Sequence, residues 1–367
     1  MKIPFVDLDA QYKQIKTEVL TVIEEVLDSK KFVMGDYERE FSKQFSELQG
    51  STYSVGCSNG TSAITVALRT LGISTEDEVI TPANSFFATP EAIYEVGAKP
   101  VFTDCDPKTY SMKVEDIEGL ITPKTKAVIP VHLYGNPAEM IKIKAICEKH
   151  NLFLIEDCAQ AHLAELNGQG VGTFGDFGTF SFYPGKNLGA YGDAGAVTTQ
   201  DSNLLKTATM HINHGRTEKY EHEFCAGNFR MDGIQAAILS VKAKYINTWT
   251  NQRIAAAKKY DEILKNKGFK VLETTPNSKC VYHLYPIEVS NRDEVLAHLK
   301  NKNIGCGVHY PIPLHMQPAL SELGYKKGDF PNCEHAADNM LSLPIFPEIT
   351  DEQINKVCAE FLSIAKL

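Results

Sequence analysis

Lys186 lies in the stretch Gly178-Thr-Phe-Ser-Phe-Tyr-Pro-Gly-Lys-Asn-Leu-Gly-Ala-Tyr-Gly-Asp193, where the apolar run from Thr179 to Tyr183 reads as a short buried strand. Pro184-Gly185 breaks that strand and delivers a lone lysine into a glycine-rich turn. Held partly out of water, such an amine gives up some of its preference for the charged form and becomes a usable nucleophile or Schiff-base partner. Two other segments suit the same chemistry. Ser58-Asn-Gly-Thr-Ser62 opens a helix predicted over Asn59 to Leu71, and free N–H groups at a helix start, backed by the dipole, suit a phosphate. Asp157 closes an apolar strand in Leu154-Ile-Glu-Asp-Cys-Ala-Gln160, where a fixed carboxylate can pair with a cationic ring nitrogen. Read alone, each has a plain alternative: a surface-turn lysine, an ordinary N-cap, a capping carboxylate. Phosphate cradle, carboxylate and turn lysine, in that order along an α/β chain, match what pyridoxal phosphate requires.

The elements that must position these residues alternate. Strands are predicted at Glu78–Thr81, Lys99–Asp104, Ala127–His132 and Leu152–Ile155, with helices at Thr89–Val96, Val114–Leu120 and Met140–His150 between them. That alternation implies a largely parallel sheet wrapped by helices, with the ligand crevice beyond the carboxyl ends of the strands. Asp157 and Lys186 both fall at that edge. Near Ser240 the pattern changes. A charged amphipathic stretch, Val241–Leu264, leads to a strand at Val281–Ile287, a helix at Arg292–Lys302 and a strand at Gly305–Tyr310. The expected division is a large α/β domain over residues 1–245 and a smaller α+β domain over 246–367, joined through a helix.

Composition narrows the function further. At 367 residues, with 43% apolar and 23% charged side chains, the chain reads as an ordinary globular protein. Its net charge of −9 and the lack of a basic block argue against a nucleic-acid partner. Nine cysteines are scattered without CxxC pairs, the pattern of reduced thiols in a cytoplasmic protein rather than of a disulfide frame or zinc site. No signal-peptide core and no membrane-spanning run is evident. His211, His214 and His222 lack a carboxylate or thiolate to complete a metal set, so no metal is expected. Gly168-Gln-Gly-Val-Gly-Thr173 imitates a dinucleotide fingerprint but is not placed at a strand-to-helix turn near the N-terminus.

The motifs Asp77-Glu-Val-Ile-Thr-Pro82, Ile129-Pro-Val-His-Leu-Tyr-Gly135, Ile155-Glu-Asp157, Ser181–Asp193, Gly227-Asn-Phe-Arg-Met-Asp232 and His309-Tyr-Pro-Ile-Pro-Leu314 together resemble the DegT/DnrJ/EryC1/StrS group of sugar aminotransferases. The resemblance covers essentially the whole chain and implies the aspartate-aminotransferase-like fold of type I pyridoxal-phosphate enzymes. It implies that Lys186 links covalently to the cofactor and that Asp157 salt-bridges its pyridine nitrogen. Gly60 and Thr61 would hold the phosphate through backbone N–H groups and Ser181 through its hydroxyl. Phe86 would stack on the ring, Gln160 would contact its phenolic oxygen, and Asn228 would reach the phosphate in the neighbouring subunit of a homodimer with composite sites.

The same resemblance implies a ping-pong transfer of an amino group from L-glutamate to a nucleotide-linked keto-sugar, of the kind used in lipopolysaccharide or O-antigen biosynthesis. Tyr183, where members acting at C4 commonly carry histidine, and Gln160-Ala-His162 are similar to the 3-keto-sugar subgroup. UDP-2-acetamido-3-keto-glucose and dTDP-3-keto-6-deoxyhexoses are both open substrates. His162, Tyr183 and His309 are candidate sugar contacts, and Arg216 and Arg230, in one segment with Lys219, Tyr220 and His222, are candidates for the diphosphate or the glutamate carboxylate. Leu163 departs from the group's usual glycine, and Cys158 from its alanine. The alternatives are amination at C4 and a pyridoxal-phosphate-binding regulator without turnover.

Overall fold

The computed structural model describes residues 1–367. Its large sheet has seven strands: β1 (Tyr53–Cys57), β2 (Glu78–Pro82), β3 (Lys99–Thr103), β4 (Thr125–Val128), β5 (Phe153–Asp157), β6 (Phe177–Ser181) and β7 (Gly195–Thr199). They lie in the order β1-β7-β6-β5-β4-β2-β3, and only β7 runs against the rest. Such strands are buried on both faces, which explains their runs of Val, Ile and Phe in place of a strict alternation. Ser181 pairs with Gly195 and Gly195 with Cys57, so three segments meet on one rung at the carboxyl edge. Asp157 pairs with Thr179, one two-residue step inward.

Several element boundaries differ from expectation for local reasons. The strand predicted over Ala127–His132 ends at Val128, because Pro130 has no N–H to continue the ladder. The Val241–Leu264 stretch belongs to two helices, Gly233–Ala243 and Ile246–Lys265, separated at Lys244–Tyr245. Gly305–Tyr310 is not a strand. Gly305 bonds back to Ile3 O at 2.8 Å, and Gly307 alone bridges Ser342, so the segment is shared between two neighbours. The partner of Tyr285–Glu288 is instead Met340–Leu343, antiparallel. Gly168 turns a two-stranded hairpin between Glu165–Leu166 and Gln169–Gly170, far from any dinucleotide geometry.

The C-terminal residues gather around their own core of Ala257, Tyr260, Tyr285, Leu343 and Phe361. Ile3 joins that core, which places the first residues of the chain on the C-terminal side of the expected division. Asp104, after β3, fastens the two parts. Its carboxylate accepts N–H bonds from Asn332 (3.0 Å) and Cys333 (2.9 Å) at the start of the helix Pro331–Asn339. No helix is long and apolar enough to cross a membrane.

Glu156, inside β5, is a buried carboxylate with every acceptor position engaged. Oε1 accepts from Phe174 N (2.8 Å) and Gly175 N (3.0 Å); Oε2 accepts from Gly172 N (2.8 Å) and meets His132 Nε2 at 3.1 Å. Since His132 Nδ1 accepts from Ala138 N (3.0 Å), Nε2 carries the ring proton and is the donor. Glu156→Gln puts an NH₂ group against N–H donors and is expected to cost about 2–3 kcal/mol in denaturant unfolding. A loss below about 0.5 kcal/mol would show that these four bonds do not hold the loop after β5.

Candidate active site

The cradle forms where β1 feeds the helix Gly60–Thr70. Asn59 Oδ1 accepts the Ser62 N–H (2.8 Å), Ser62 Oγ accepts the Asn59 N–H (3.0 Å), and Ala63 N–H bonds Asn59 O (3.1 Å). This capping box occupies the donors on either side and leaves those of Gly60 and Thr61 open to a ligand. The N-cap reading of the segment holds, and it does not exclude the phosphate-cradle reading. A Cβ on Gly60 would lie 2.7 Å from Ser181 Cβ, so glycine is what lets the helix start come against the serine at the end of β6. Two open N–H groups, a helix dipole and the neighbouring Ser181 side chain fit a phosphate.

Asp157, at the end of β5, is buried and held by two donors. Thr89 Oγ1 donates to Oδ2 (2.9 Å) and Ala159 N to Oδ1 (3.1 Å). Because the Thr89 proton is committed to the carboxylate, the contact with Ser85 Oγ at 3.1 Å has Ser85 donating. A carboxylate fixed this way fits a cationic ring nitrogen. Lys186 lies in the turn that follows the neighbouring strand, β6. Burial lowers its amine from the ordinary 10.5 to about 8, and the charge of Asp157 is the only influence opposing that shift. In cofactor-free protein, acylation of Lys186 by an amine reagent should therefore rise with a midpoint near 8. A midpoint at 10.5 would return it to the behaviour of a solvated surface lysine.

Gln160 is buried beside them. Its Oε1 accepts from Tyr134 N (2.6 Å) and its Nε2 donates to Tyr310 OH (3.1 Å). Phe86 is 57% exposed, its ring centroid 5.6 Å from that of Tyr310, an apolar face free to cover a ring. Tyr183 is 61% exposed, three residues before the lysine. His309 stacks on Phe5 (5.5 Å) and bonds Ser342 Oγ through Nδ1 (3.0 Å). Burial first, then the charge of Lys186, lower it to about 4, so it is a neutral imidazole at physiological pH.

Other expected contacts are arranged differently. His162 is completely buried among Phe45, Phe180 and Phe182, and burial followed by the charge of Lys186 lowers it to about 3. It packs against the β6 strand, in the surroundings of a core residue rather than at an open face. Asn228 and Arg230 line an open cavity of ≈530 Å³ together with Ser58, Asn59 and Gln235 of the same chain, next to the cradle. Arg230 Nη1 reaches Asn213 Oδ1 at 3.4 Å, while its buried Nε has no partner. Arg216 sits in a separate short hairpin, Arg216–Glu218 against Glu221–His222.

Thr89, Tyr310 and His283 were not legible as site residues. Ser85 and Thr89 do share an i,i+4 spacing, but nothing in it points to a carboxylate 68 positions away. His283 shares Asn187 with the lysine turn: Asn187 Nδ2 donates to Val281 O (3.1 Å), so its Oδ1 accepts from His283 Nδ1 (3.2 Å). Burial pushes His283 well below its ordinary 6.5. Two buried groups have metal-ligand residue types, His132–Glu156–Cys158 and Asp104–Cys105–Cys333. The carboxylates of both already accept backbone N–H bonds.

Residues 13–362 match the DegT/DnrJ/EryC1/StrS aminotransferase family. The chain belongs to that family. Members of this aminotransferase family use pyridoxal 5′-phosphate, and similar solved structures include forms with that cofactor or its amine form. The chain is 44% identical over 357 residues to a pleiotropic regulatory protein of Geobacillus stearothermophilus, covering 96% of each. It is 43% identical to the UDP-N-acetyl-3-dehydro-alpha-D-glucosamine 3-aminotransferase of Acidithiobacillus ferrooxidans, over 97% of this chain and 96% of that one. The fold matches Streptomyces venezuelae DesV in complex with a ketimine intermediate, with a TM-score of 0.96, 36% identity, and coverage of 98% and 97%. The DegT/DnrJ/EryC1/StrS chain is thus an aminotransferase of the expected α/β, fold type I architecture.

Proposed function

We propose that the protein moves an amino group from L-glutamate to the C3 keto group of a nucleotide-linked sugar, as a cytoplasmic homodimer. The observation that carries the transfer chemistry is the desolvated Lys186 amine in the turn after β6, the strand that pairs with Asp157 through Thr179 and meets the Gly60 helix start through Ser181. The C3 position is supported by Tyr183 and by the 3-aminotransferase named above. Bound here, pyridoxal phosphate supplies a carbonyl that carries the amino group and a ring that withdraws electrons from the reacting carbon.

In this reading Gly60, Thr61 and Ser181 hold the phosphate, and Asp157 keeps a proton on the ring nitrogen. Phe86 covers the ring, and Gln160 faces its phenolic oxygen. Lys186 moves the proton between the donor's Cα and the cofactor's C4′, which an amine near neutrality in water-poor surroundings can do in both directions. Asn228, on the cavity beside the cradle, would reach the phosphate of a neighbouring subunit, and Arg230 and Arg216 would bind the sugar diphosphate or the glutamate carboxylate.

The test offers purified protein L-glutamate and, in turn, UDP-2-acetamido-3-keto-glucose, a dTDP-3-keto-6-deoxyhexose and a 4-keto analogue. Release of 2-oxoglutarate with an amine at C3 is the expected result. Amination of the 4-keto sugar alone would overturn the C3 assignment. A spectrum unchanged by glutamate would favour the regulator without turnover, the reading that the Geobacillus relative's name supports.

A further inference from the structure

A second lysine is buried against the turn that carries the first. Lys242 is 0% exposed, and its Nζ donates to Gly189 O at 2.6 Å while lying 4.1 Å from the centroid of the Tyr191 ring. Both targets belong to the arm of the turn that returns from Lys186. Two turns earlier on the same face of the helix Gly233–Ala243, Gln235 grips the Tyr191 backbone from both sides. Its Oε1 accepts the Tyr191 N–H (2.9 Å) and its Nε2 donates to Tyr191 O (3.4 Å). The fit is close: a Cβ on Gly192 would lie 2.9 Å from Gln235 Nε2, and one on Gly189 would lie 2.4 Å from Pro184 O.

We propose that Lys242 and Gln235 are positioning residues: through Gly189 and Tyr191 they clamp the returning arm of the turn and so set where the Lys186 amine stands. The turn itself is short and stiff. Lys186 N–H bonds Tyr183 O (2.8 Å) and Ala190 N–H bonds Phe182 O (2.7 Å), so a shift of Gly189 is passed on to Lys186 rather than absorbed. Asn187 ties the far side to Val281 O (3.1 Å). Between these two anchors the backbone of Lys186 has no slack.

A structural role alone does not account for the chemistry of this contact. Burying an amine without a carboxylate is costly, and burial alone lowers Lys242 to about 7. An apolar chain would fill the same space at lower cost. What the amine adds is direction, one donor aimed at one carbonyl, with the π face of Tyr191 supporting any positive charge. Tyr12, on the first helix (Leu8–Ser29), backs Tyr191 edge-on with centroids 6.1 Å apart.

The inference rests on Lys186 as the cofactor-linked lysine and is independent of which sugar is aminated. The experiment compares Lys242→Met, Lys242→Arg and Gln235→Leu with the unmodified protein and with Lys186→Ala. The readouts are the folded fraction by circular dichroism, the rate at which the visible band grows when pyridoxal phosphate is added, and kcat and KM with L-glutamate. For Lys242→Met and Gln235→Leu we expect a normal folded fraction, slower cofactor uptake, and kcat lower by about 10- to 100-fold. KM for glutamate should move by less than about threefold, and Lys242→Arg should recover most of kcat. Unchanged kcat and uptake in both variants would overturn the proposal. So would losses that merely track the folded fraction without rescue by arginine, or a failure of both variants to fold. A visible band that persists in Lys186→Ala removes the premise, and the proposal with it.

Discussion

Lys186→Ala is expected to lose the visible band of the cofactor-loaded protein and to lower amino transfer by at least about 10³-fold, because covalent linkage and proton transfer use the same amine. The fold should survive. The backbone bond from Lys186 N to Tyr183 O (2.8 Å) remains, and the missing amine leaves no buried acceptor stranded. Stability in the cofactor-free state should follow a defined pH course. The folded amine titrates near 8 and the unfolded one near 10.5, so between those values the unfolded chain binds more protons. Unmodified protein should therefore gain stability relative to Lys186→Ala as pH rises from about 8 to 10.5, and pay the full burial cost below 8. Denaturant midpoints of both proteins across that range check the sign. A persisting visible band would assign the covalent link to another amine.

Asp157→Asn is the second large effect, expected to reduce kcat by about 10²–10⁴-fold with little loss of stability. The two contacts of the carboxylate can be remade by the amide. Its oxygen accepts from Ala159 N, and its NH₂ donates to Thr89 Oγ1, whose proton then turns to Ser85. What cannot be remade is the charge. A neutral amide no longer favours a proton on a ring nitrogen, and the ring loses its pull on electrons from the reacting carbon. The measurement is kcat for L-glutamate alongside thermal unfolding. A loss of activity that only parallels a loss of folded protein would reduce Asp157 to the capping role open to it from sequence. Thr89 is the control on position: Thr89→Val keeps the charge but removes one of the two donors that aim it.

Short-range chemistry marked the candidate residues, and the resemblance to the family gave them their roles. A strand that ends in Pro-Gly before a lysine, a strand that ends in a carboxylate, and small polar residues before an apolar helix are local patterns. The local backbone obeys them wherever the chain runs. The parallel sheet was legible for the same reason, since strand and helix periods alternate from Glu78 to Asp157. Structure and sequence reading part where partners are distant. Gly305–Tyr310 has strand-like residues but no ladder, because its backbone bonds are divided between Ile3 and Ser342. His162 has the type of a substrate contact and the surroundings of a core residue, which only the packing of Phe45, Phe180 and Phe182 reveals.

By itself, the sequence determined the candidate set of reactive groups and their order: proposed cradle, carboxylate, lysine. Those depend on residue type and on turns a few positions long. The tertiary structure decided their tuning. The burial that lowers Lys186 to about 8, the Thr89 hydroxyl on Asp157, and the Lys242 amine on Gly189 all come from segments remote in the chain. Desolvation and hydrogen-bond direction depend on what surrounds a side chain in space, and neighbours along the chain do not specify that.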